Sequence, residues 1–173
     1  MNDRLKTIVD LNKYPIHNLE SPSIKKLIEK CKKELEEDSC STIPNFILPH
    51  SLEIMNSELE NQLEEVYMSK EKINAYLYAK DDPNLPKDHP KRNFMNRYNG
   101  YLNSDCFHKN SEMKYLYETE ELLKFVSACL GVSPIYRWAD PLACHAYNVM
   151  KPDGILPWHF DSCEFTLSLM IQK

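Results

Sequence analysis

The spacing of apolar residues changes near residue 141 of this 173-residue chain. Before that point apolar residues recur with helical periodicity, in residues 21–38, 51–69 and 119–131. After it, polar and apolar residues alternate in three runs that predict β-strands, 142–150, 155–161 and 162–172. Helices followed by strands predict an α+β fold, with the helices packed on the first strands of a sheet. We expect a single domain over 1–173, helical over 1–140 and β-rich over 141–173.

Residues at the predicted helix ends support these boundaries. Ser21 is a suitable N-cap, and Pro22 suits the first turn of the helix that follows. Ser51 is the expected N-cap of the second helix, and Gly131 is expected to end the third with a left-handed C-cap. The three helices carry apolar stripes, in order Ile24, Leu27, Ile28, Cys31 and Leu35; Leu52, Met55, Leu59, Leu63 and Val66; Leu122, Phe125, Val126, Cys129 and Leu130.

The segments between the helices and strands also carry signals. Residues 42–48 are apolar but contain Pro44, which favours an edge strand over a central one. Residues 79–110 show no persistent periodicity and predict a long loop, which its arginines and aromatic residues mark as functional. The sequence Pro152-Asp153-Gly154 predicts a turn that joins the first two strands in a hairpin.

Composition argues against several classes of function. The formal net charge is −5 with few arginines, so the chain lacks the dense basic face that nucleic-acid binding needs. The three glycines lie too far apart for a dinucleotide-binding or phosphate-binding loop. Six cysteines without C-x-x-C spacing, and no apolar signal region, indicate reduced thiols in a cytoplasmic protein. No apolar run approaches the ~18 residues of a membrane span, so we expect no membrane partner.

The strongest chemical signal is the tripeptide His159-Phe160-Asp161 on the second predicted strand. In a strand, residues i and i+2 point to the same face, so an imidazole nitrogen and a carboxylate oxygen are expected to converge. These are two corners of the facial triad, two histidines and one carboxylate, that holds Fe(II) in non-heme oxygenases. His159 and Asp161 are therefore the candidate metal ligands.

The surroundings of this tripeptide resemble a known family. The resemblance extends over about 79–172 and is carried by Asp82-Pro83, Leu85-Pro86, Asp88-His89-Pro90, Arg92, Phe94-Met95, Arg97, Asn99-Gly100-Tyr101, Tyr136-Arg137, Ala139-Asp140-Pro141, Asn148-Val149-Met150, Pro152, Leu156-Pro157-Trp158-His159-Phe160-Asp161 and Phe165-Thr166. This pattern is similar to that of the Fe(II)/2-oxoglutarate-dependent oxygenases, and within them to the enzymes that hydroxylate or halogenate free amino acids.

The resemblance implies a fold, a reaction and a set of site residues. The fold would be a double-stranded β-helix of the jelly-roll or cupin type, and the cofactors would be Fe(II) and 2-oxoglutarate. His159 and Asp161 would bind iron, and the presence of Asp161 implies hydroxylation by O₂ rather than halogenation. Asn148 would donate its amide to 2-oxoglutarate or to a substrate carboxylate. Arg92 and Arg97 would bind the carboxylate of a small amino-acid-like substrate, because an arginine side chain offers planar, bidentate geometry.

The sequence departs from the family after the tripeptide. The family has a second iron-binding histidine and a 2-oxoglutarate-binding arginine several strands further on, and this chain has neither before Lys173. The barrel is therefore expected to be incomplete at the C-terminus. Either the chain is part of a longer enzyme, or it is a non-catalytic binding or interaction protein with a degenerate metal site. A third interpretation is a different metal site that includes His145, Cys144 or Cys163. The last strand would be an exposed apolar edge, which predicts either a homodimer through that edge or poor solubility of this piece alone.

Overall fold

The computed structural model of the protein describes residues 3–172. Over this range the chain contains five α-helices and one three-stranded antiparallel sheet, which confirms the mixed α and β character. The described residues divide into two compact units. Asn61–Cys106 and Asp140–Met170 form what we call the sheet unit, and the other described residues form the helical unit. None of the described helices is long and apolar enough to cross a membrane.

The helical unit is built from all five α-helices. They are α1 (Leu5–Ile8), α2 (Pro22–Asp38), α3 (Pro49–Glu60), α4 (Glu112–Glu118) and α5 (Glu120–Leu130). The core of the unit contains the apolar faces of these helices, including Leu5, Ile8, Ile24, Met55 and Phe125. Helices α2 and α5 pack against each other. The ring of Phe125 stacks on that of Phe46, with 6.3 Å between the ring centroids.

Two helices confirm the predictions made from their periodicity and caps. In α2, the Ser21 hydroxyl oxygen accepts a hydrogen bond from the Ile24 backbone N–H at 3.4 Å. Ile24, Ile28 and Cys31 are buried on one face of this helix. Helix α5 ends at Gly131, whose φ of 68° is the left-handed C-cap conformation that glycine adopts without steric cost.

The second predicted helix is shorter than its periodicity suggested. Helix α3 begins at Pro49, a residue whose fixed φ suits the first turn, and ends at Glu60. Ser51 is not the N-cap as predicted. It lies inside the first turn, fully buried, and its hydroxyl donates a hydrogen bond to the Glu112 carboxylate. The predicted edge strand 42–48 reduces to one isolated bridge between Ile47 and Val9.

The sheet unit contains three strands in the order β1-β2-β3, all antiparallel. They are β1 (Tyr67–Ile73), β2 (Met95–Leu102) and β3 (Tyr147–Val149). The first three residues of β1 lie in the predicted second helix 51–69, and β2 lies within the predicted functional loop 79–110. Along β1 and β2 the residues of opposite charge Glu71 and Arg97 are register partners, which is a stabilising cross-strand pair. The division into a helical 1–140 and a β-rich 141–173 differs from the structure accordingly.

Of the three predicted C-terminal strands, only the first forms, as β3. The predicted hairpin is wrong, because Ile155 pairs with Tyr98 of β2 and not with β3. The turn from Lys151 to Gly154 is present, with the Gly154 N–H donating to the Lys151 carbonyl at 2.8 Å. The turn connects β3, which pairs with β2, to Ile155, which pairs with Tyr98 of the same strand β2. Residues 162–172 form no strand, so the predicted apolar edge strand is not present among the described residues. The described residues do not confirm a jelly roll.

Candidate metal centre

The side chains of His159 and Asp161 converge as predicted from their i, i+2 spacing. The His159 Nε2 atom lies 3.3 Å from the Asp161 Oδ1 atom. The two side chains are 23% and 46% exposed, so the point on which they converge is open to solvent. The segment does not lie in a strand, but it is fixed at its centre, since the Phe160 N–H donates to the Ala75 carbonyl at 2.8 Å. The two predicted ligands therefore meet although the segment is not the strand from which their convergence was predicted.

The hydrogen bond of His159 Nδ1 determines whether Nε2 is available to bind a metal ion. His159 Nδ1 lies 2.8 Å from the carbonyl oxygen of Pro157. A carbonyl oxygen only accepts hydrogen bonds, so Nδ1 carries the proton. In the neutral ring, Nε2 then presents a lone pair towards the Asp161 carboxylate. A metal-binding histidine typically donates its other N–H in this way to a backbone carbonyl, which fixes both the tautomer and the ring orientation.

The Thr166 hydroxyl group binds the Asp161 carboxylate oxygen that does not face His159. The Thr166 hydroxyl donates to Asp161 Oδ2 at 2.6 Å, while Asp161 Oδ1 faces His159. Cys163 Sγ lies 3.4 Å from the same Thr166 hydroxyl oxygen. Thr166 thus fixes the rotation of the carboxylate and leaves one oxygen directed at the imidazole. The sequence did not assign a role to Thr166, although its hydroxyl is one short loop away from Asp161.

A buried asparagine anchors the backbone on which the pair rests. Asn74 is almost fully buried, and its amide donates to the Lys91 carbonyl at 2.6 Å. Its side-chain oxygen accepts from the N–H groups of Tyr76 and Tyr78. These bonds shape the turn that presents the Ala75 carbonyl to Phe160. The Tyr76 ring also packs on the Phe160 ring at 5.2 Å between centroids. Sequence analysis missed Asn74, whose only signal is its position directly after a strand.

Arg97 and Asn148, two further predicted site residues, are joined through Asn99. Arg97 Nε donates to Asn99 Oδ1 at 2.7 Å, and Asn99 Nδ2 donates to Asn148 Oδ1 at 2.9 Å. Asn99 is fully buried in β2, whereas Asn148 is exposed. The guanidinium of Arg97 also lies over the Tyr101 ring, and its Nη1 is 3.5 Å from Glu71 Oε1. Asn148 accepts this bond through Oδ1, so its Nδ2 group is the donor that a bound acid could use.

Arg92 is engaged within its own loop. Its Nε and Nη2 donate to the two carboxylate oxygens of Asp81, both at 2.8 Å, and its Nη1 donates to the Leu85 carbonyl at 2.9 Å. The hydrogen bonds from Arg92 lower the pKa of Asp81 from its usual value. The planar, bidentate geometry predicted for a substrate carboxylate is present, and it is directed at a carboxylate of the protein.

The structure brings the predicted residues together only in part. No hydrogen bond or ion pair between described residues joins the His159–Asp161 pair to Arg97, Asn148 or Arg92. Within residues 3–172 there is also no group of three or more His, Cys, Asp or Glu side chains placed to hold a metal ion. The alternative ligands have other contacts: Cys144 Sγ lies 3.0 Å from His145 Nδ1, and Cys163 contacts Thr166.

Comparisons of the chain with protein-family models, with curated proteins and with solved structures found no match. The candidate centre therefore rests on the geometry of this chain. Two open grooves, of about 400 and 540 Å³, lie in the helical unit and contain none of the predicted site residues. The chemistry suggested by His159 and Asp161 belongs to the sheet unit.

Proposed function

We propose that the protein is an Fe(II)/2-oxoglutarate-dependent oxygenase in which His159 and Asp161 are two of the protein ligands to iron. Its reaction would be hydroxylation of an unactivated C–H bond in a small amino-acid-like substrate, with O₂ as co-substrate. The observation that carries the proposal is the 3.3 Å approach of the His159 Nε2 atom to the Asp161 carboxylate while Nδ1 donates to a backbone carbonyl.

The electrostatics of this pair favour a cation between the two side chains. The neutral His159 ring would direct the Nε2 lone pair at an anionic oxygen, and two electron-rich atoms at this distance repel each other. A proton or a divalent metal ion removes that repulsion. Imidazole nitrogen with carboxylate oxygen is a donor set that Fe(II) accepts, and the carbonyl contact at Nδ1 makes the ring a better ligand.

The residues present fit two of the three protein positions of a facial triad. In the arrangement of the described residues, no third His, Cys, Asp or Glu side chain lies beside this pair to complete the site. Fe(II) with 2-oxoglutarate supplies the oxidation of a C–H bond by O₂, with succinate and CO₂ as co-products. Thr166 would hold the Asp161 carboxylate in its ligating orientation, and the Asn148 amide would donate to a carboxylate of the bound acid.

Of the two arginines, Arg97 is the better candidate for binding a substrate carboxylate. Its ion pair with Glu71 is long, at 3.5 Å, whereas both contacts of Arg92 with Asp81 are 2.8 Å. A substrate carboxylate would have to displace a protein carboxylate in either case, and the longer contact costs less to break. Arg97 also connects through Asn99 to Asn148, so two predicted binding residues would act on the same ligand.

A second candidate function is a non-catalytic binding or interaction protein with a degenerate metal site. The observation that favours it is the absence of a third metal-binding side chain among residues 3–172, together with the internal hydrogen bonds of Arg92, Arg97 and Asn148. This function needs no iron and no 2-oxoglutarate. It is distinguished from the first by whether a divalent metal binds at His159 and Asp161.

Metal affinity of the intact chain and three variants tests the first candidate. We expect Co²⁺, which replaces Fe²⁺ without oxidising in air, to bind in a 1:1 ratio in isothermal titration calorimetry. His159→Ala and Asp161→Ala should each lower the affinity by at least about tenfold, since each removes a ligand. Asp153→Ala, which removes an exposed carboxylate in the preceding turn, should leave it unchanged. If the intact chain binds no metal, or if all three variants weaken binding equally, the second candidate stands instead.

A further inference from the structure

The larger of the two open grooves lies in the helical unit, between α2, α5 and the residues that follow α5. Its volume of about 540 Å³ falls within the range of pockets that hold one small molecule, about 300–1,000 Å³. Apolar side chains from these elements and from the turn before α2 line it, namely Leu19, Ile28, Leu123, Ala128, Val132 and Ile135. An apolar chain lying in this groove would contact both helices.

Hydrogen bonds at the C-terminus of α5 fix one wall of the groove. The chain reverses at Gly131, which has the left-handed C-cap conformation. The Val132 N–H then donates to the Ser127 carbonyl at 3.3 Å, and the Ser127 hydroxyl donates to the Val132 carbonyl at 2.5 Å. Val132 is therefore held beside the last turn of the helix as part of its cap. This wall forms without a ligand.

The charges along the groove have one sign. Its only charged lining residues are Lys32 and Lys124, and no Asp or Glu lines it, although the formal net charge of the chain is −5. Lys124 forms no ion pair with any described residue. Lys32 has an exposed contact of 3.4 Å with Glu29, and exposed pairs of this kind contribute little. Both ammonium groups are thus available to a bound anion.

We propose that this groove binds a carboxylic acid with an unbranched apolar chain, such as a medium-chain fatty acid. Burial of the chain against the apolar walls supplies the affinity, and the two lysines select an anionic head group over a cationic one. A helix of a partner protein is at least ~10 Å wide with its side chains, so it would lie largely outside a space of this volume.

The proposal does not rest on the proposed iron chemistry. The groove belongs to the helical unit, whereas His159 and Asp161 belong to the sheet unit. Binding of a fatty acid needs no metal ion and no 2-oxoglutarate. Each of the two proposals can therefore fail without the other.

Calorimetric titration of the full chain with dodecanoate, below its micelle concentration, tests the proposal. We expect 1:1 binding that weakens as NaCl is added, because salt screens exposed charges. Dodecyltrimethylammonium has the same chain and the opposite charge, and it should bind at least about fivefold more weakly. Butyrate keeps the carboxylate but has a short chain, and it should show no binding at the same concentrations.

Two lysine variants locate the anionic head group. Lys124→Gln removes an exposed charge from the groove and should weaken dodecanoate binding about two- to fivefold. Lys26→Gln is the matched control, because Lys26 is an exposed lysine of α2 that does not line the groove. This control should bind dodecanoate as the natural chain does.

A pair of variants of equal shape locates the apolar chain. Val132 is 40% exposed, so the fold has room for a longer polar side chain there. Val132→Glu places a carboxylate in the groove and should weaken dodecanoate binding more than Val132→Gln does. The proposal is overturned if dodecanoate shows no saturable binding or if the ammonium analogue binds equally well. It is also overturned if Lys26→Gln weakens binding as much as Lys124→Gln, or if the two Val132 variants bind alike.

Discussion

A single hydroxyl group orients the carboxylate of the candidate metal centre. Thr166 donates to Asp161 Oδ2 at 2.6 Å and so directs Oδ1 towards His159. Residues that orient metal ligands typically change metal affinity 10–100-fold when they are lost. We expect Thr166→Val, which keeps the shape and removes the donor, to weaken Co²⁺ binding by about tenfold in calorimetric titration.

Two further variants at this position separate orientation from other effects. Thr166→Ser retains the hydroxyl and should restore most of the affinity. Cys163→Ser alters the other neighbour of the Thr166 hydroxyl and should leave the affinity unchanged unless the thiolate is itself a ligand. Wild-type affinity in Thr166→Val would show that the hydroxyl does not position the ligand. A loss of affinity in Cys163→Ser would favour the thiolate-containing site.

At the scale of single residues, the sequence predicted only what is local. His159 and Asp161 are two positions apart, so their proximity could be predicted, although the segment is not a strand and Thr166 and Ala75 hold it in place. The connection from Arg97 through Asn99 to Asn148 depends on the pairing of β2 with β3, where Tyr101 is opposite Asn148. Nothing in the sequence sets that register by itself.

The central strand of the sheet depends on a glycine that leaves room for its neighbours. A Cβ atom at Gly100 would lie 2.6 Å from both Met68 Sδ and Val66 Cγ1. The methionine side chain can move, but the β-branched valine has little rotamer freedom. We expect Gly100→Ala to lower the free energy of unfolding by about 1–3 kcal/mol, as overpacking does. Urea denaturation followed by circular dichroism measures this change.

A double variant tests whether the valine causes that cost. Val66→Ala opens the space that the new methyl group needs, so Val66→Ala with Gly100→Ala should be less destabilising than the two single changes added together. Strict additivity would contradict the steric explanation. Gly131→Ala provides the conformational comparison, since a Cβ there meets no atom within 4 Å and any cost comes from its φ of +68°.

At the scale of elements, helices could be predicted and most strands could not. The sequences of α2 and α5 each contain an apolar stripe and a capping residue. Ser21 is the N-cap of α2, and Gly131 is the C-cap of α5. Strand β1 has the sequence YMSKEKI, in which only Ser69 and Ile73 are buried, so its hydrophobic pattern is weak. It is a strand because β2 supplies its hydrogen bonds. The run 162–172 has the stronger alternation but no strand beside it.

At the scale of the whole molecule, the candidate metal chemistry belongs to one of the two compact units. The sheet unit contains the candidate iron ligands His159 and Asp161. The α+β class could be predicted because the spacing of apolar residues indicates, for each segment separately, whether it forms a helix or a strand. Neither the jelly roll nor the homodimer follows from that periodicity, since both depend on strand pairings that involve distant residues or another chain; dimerisation stays a prediction.

An anaerobic titration of the intact chain with Fe(II), with and without 2-oxoglutarate, tests the central claim most directly. A 2-oxoglutarate molecule chelated to protein-bound Fe(II) gives a visible charge-transfer band, which neither component gives alone. The account predicts that the band appears with both components present, is lost in His159→Ala and is retained in Asp153→Ala. No band in the intact chain at any Fe(II) concentration, or an equal band in His159→Ala, would contradict it.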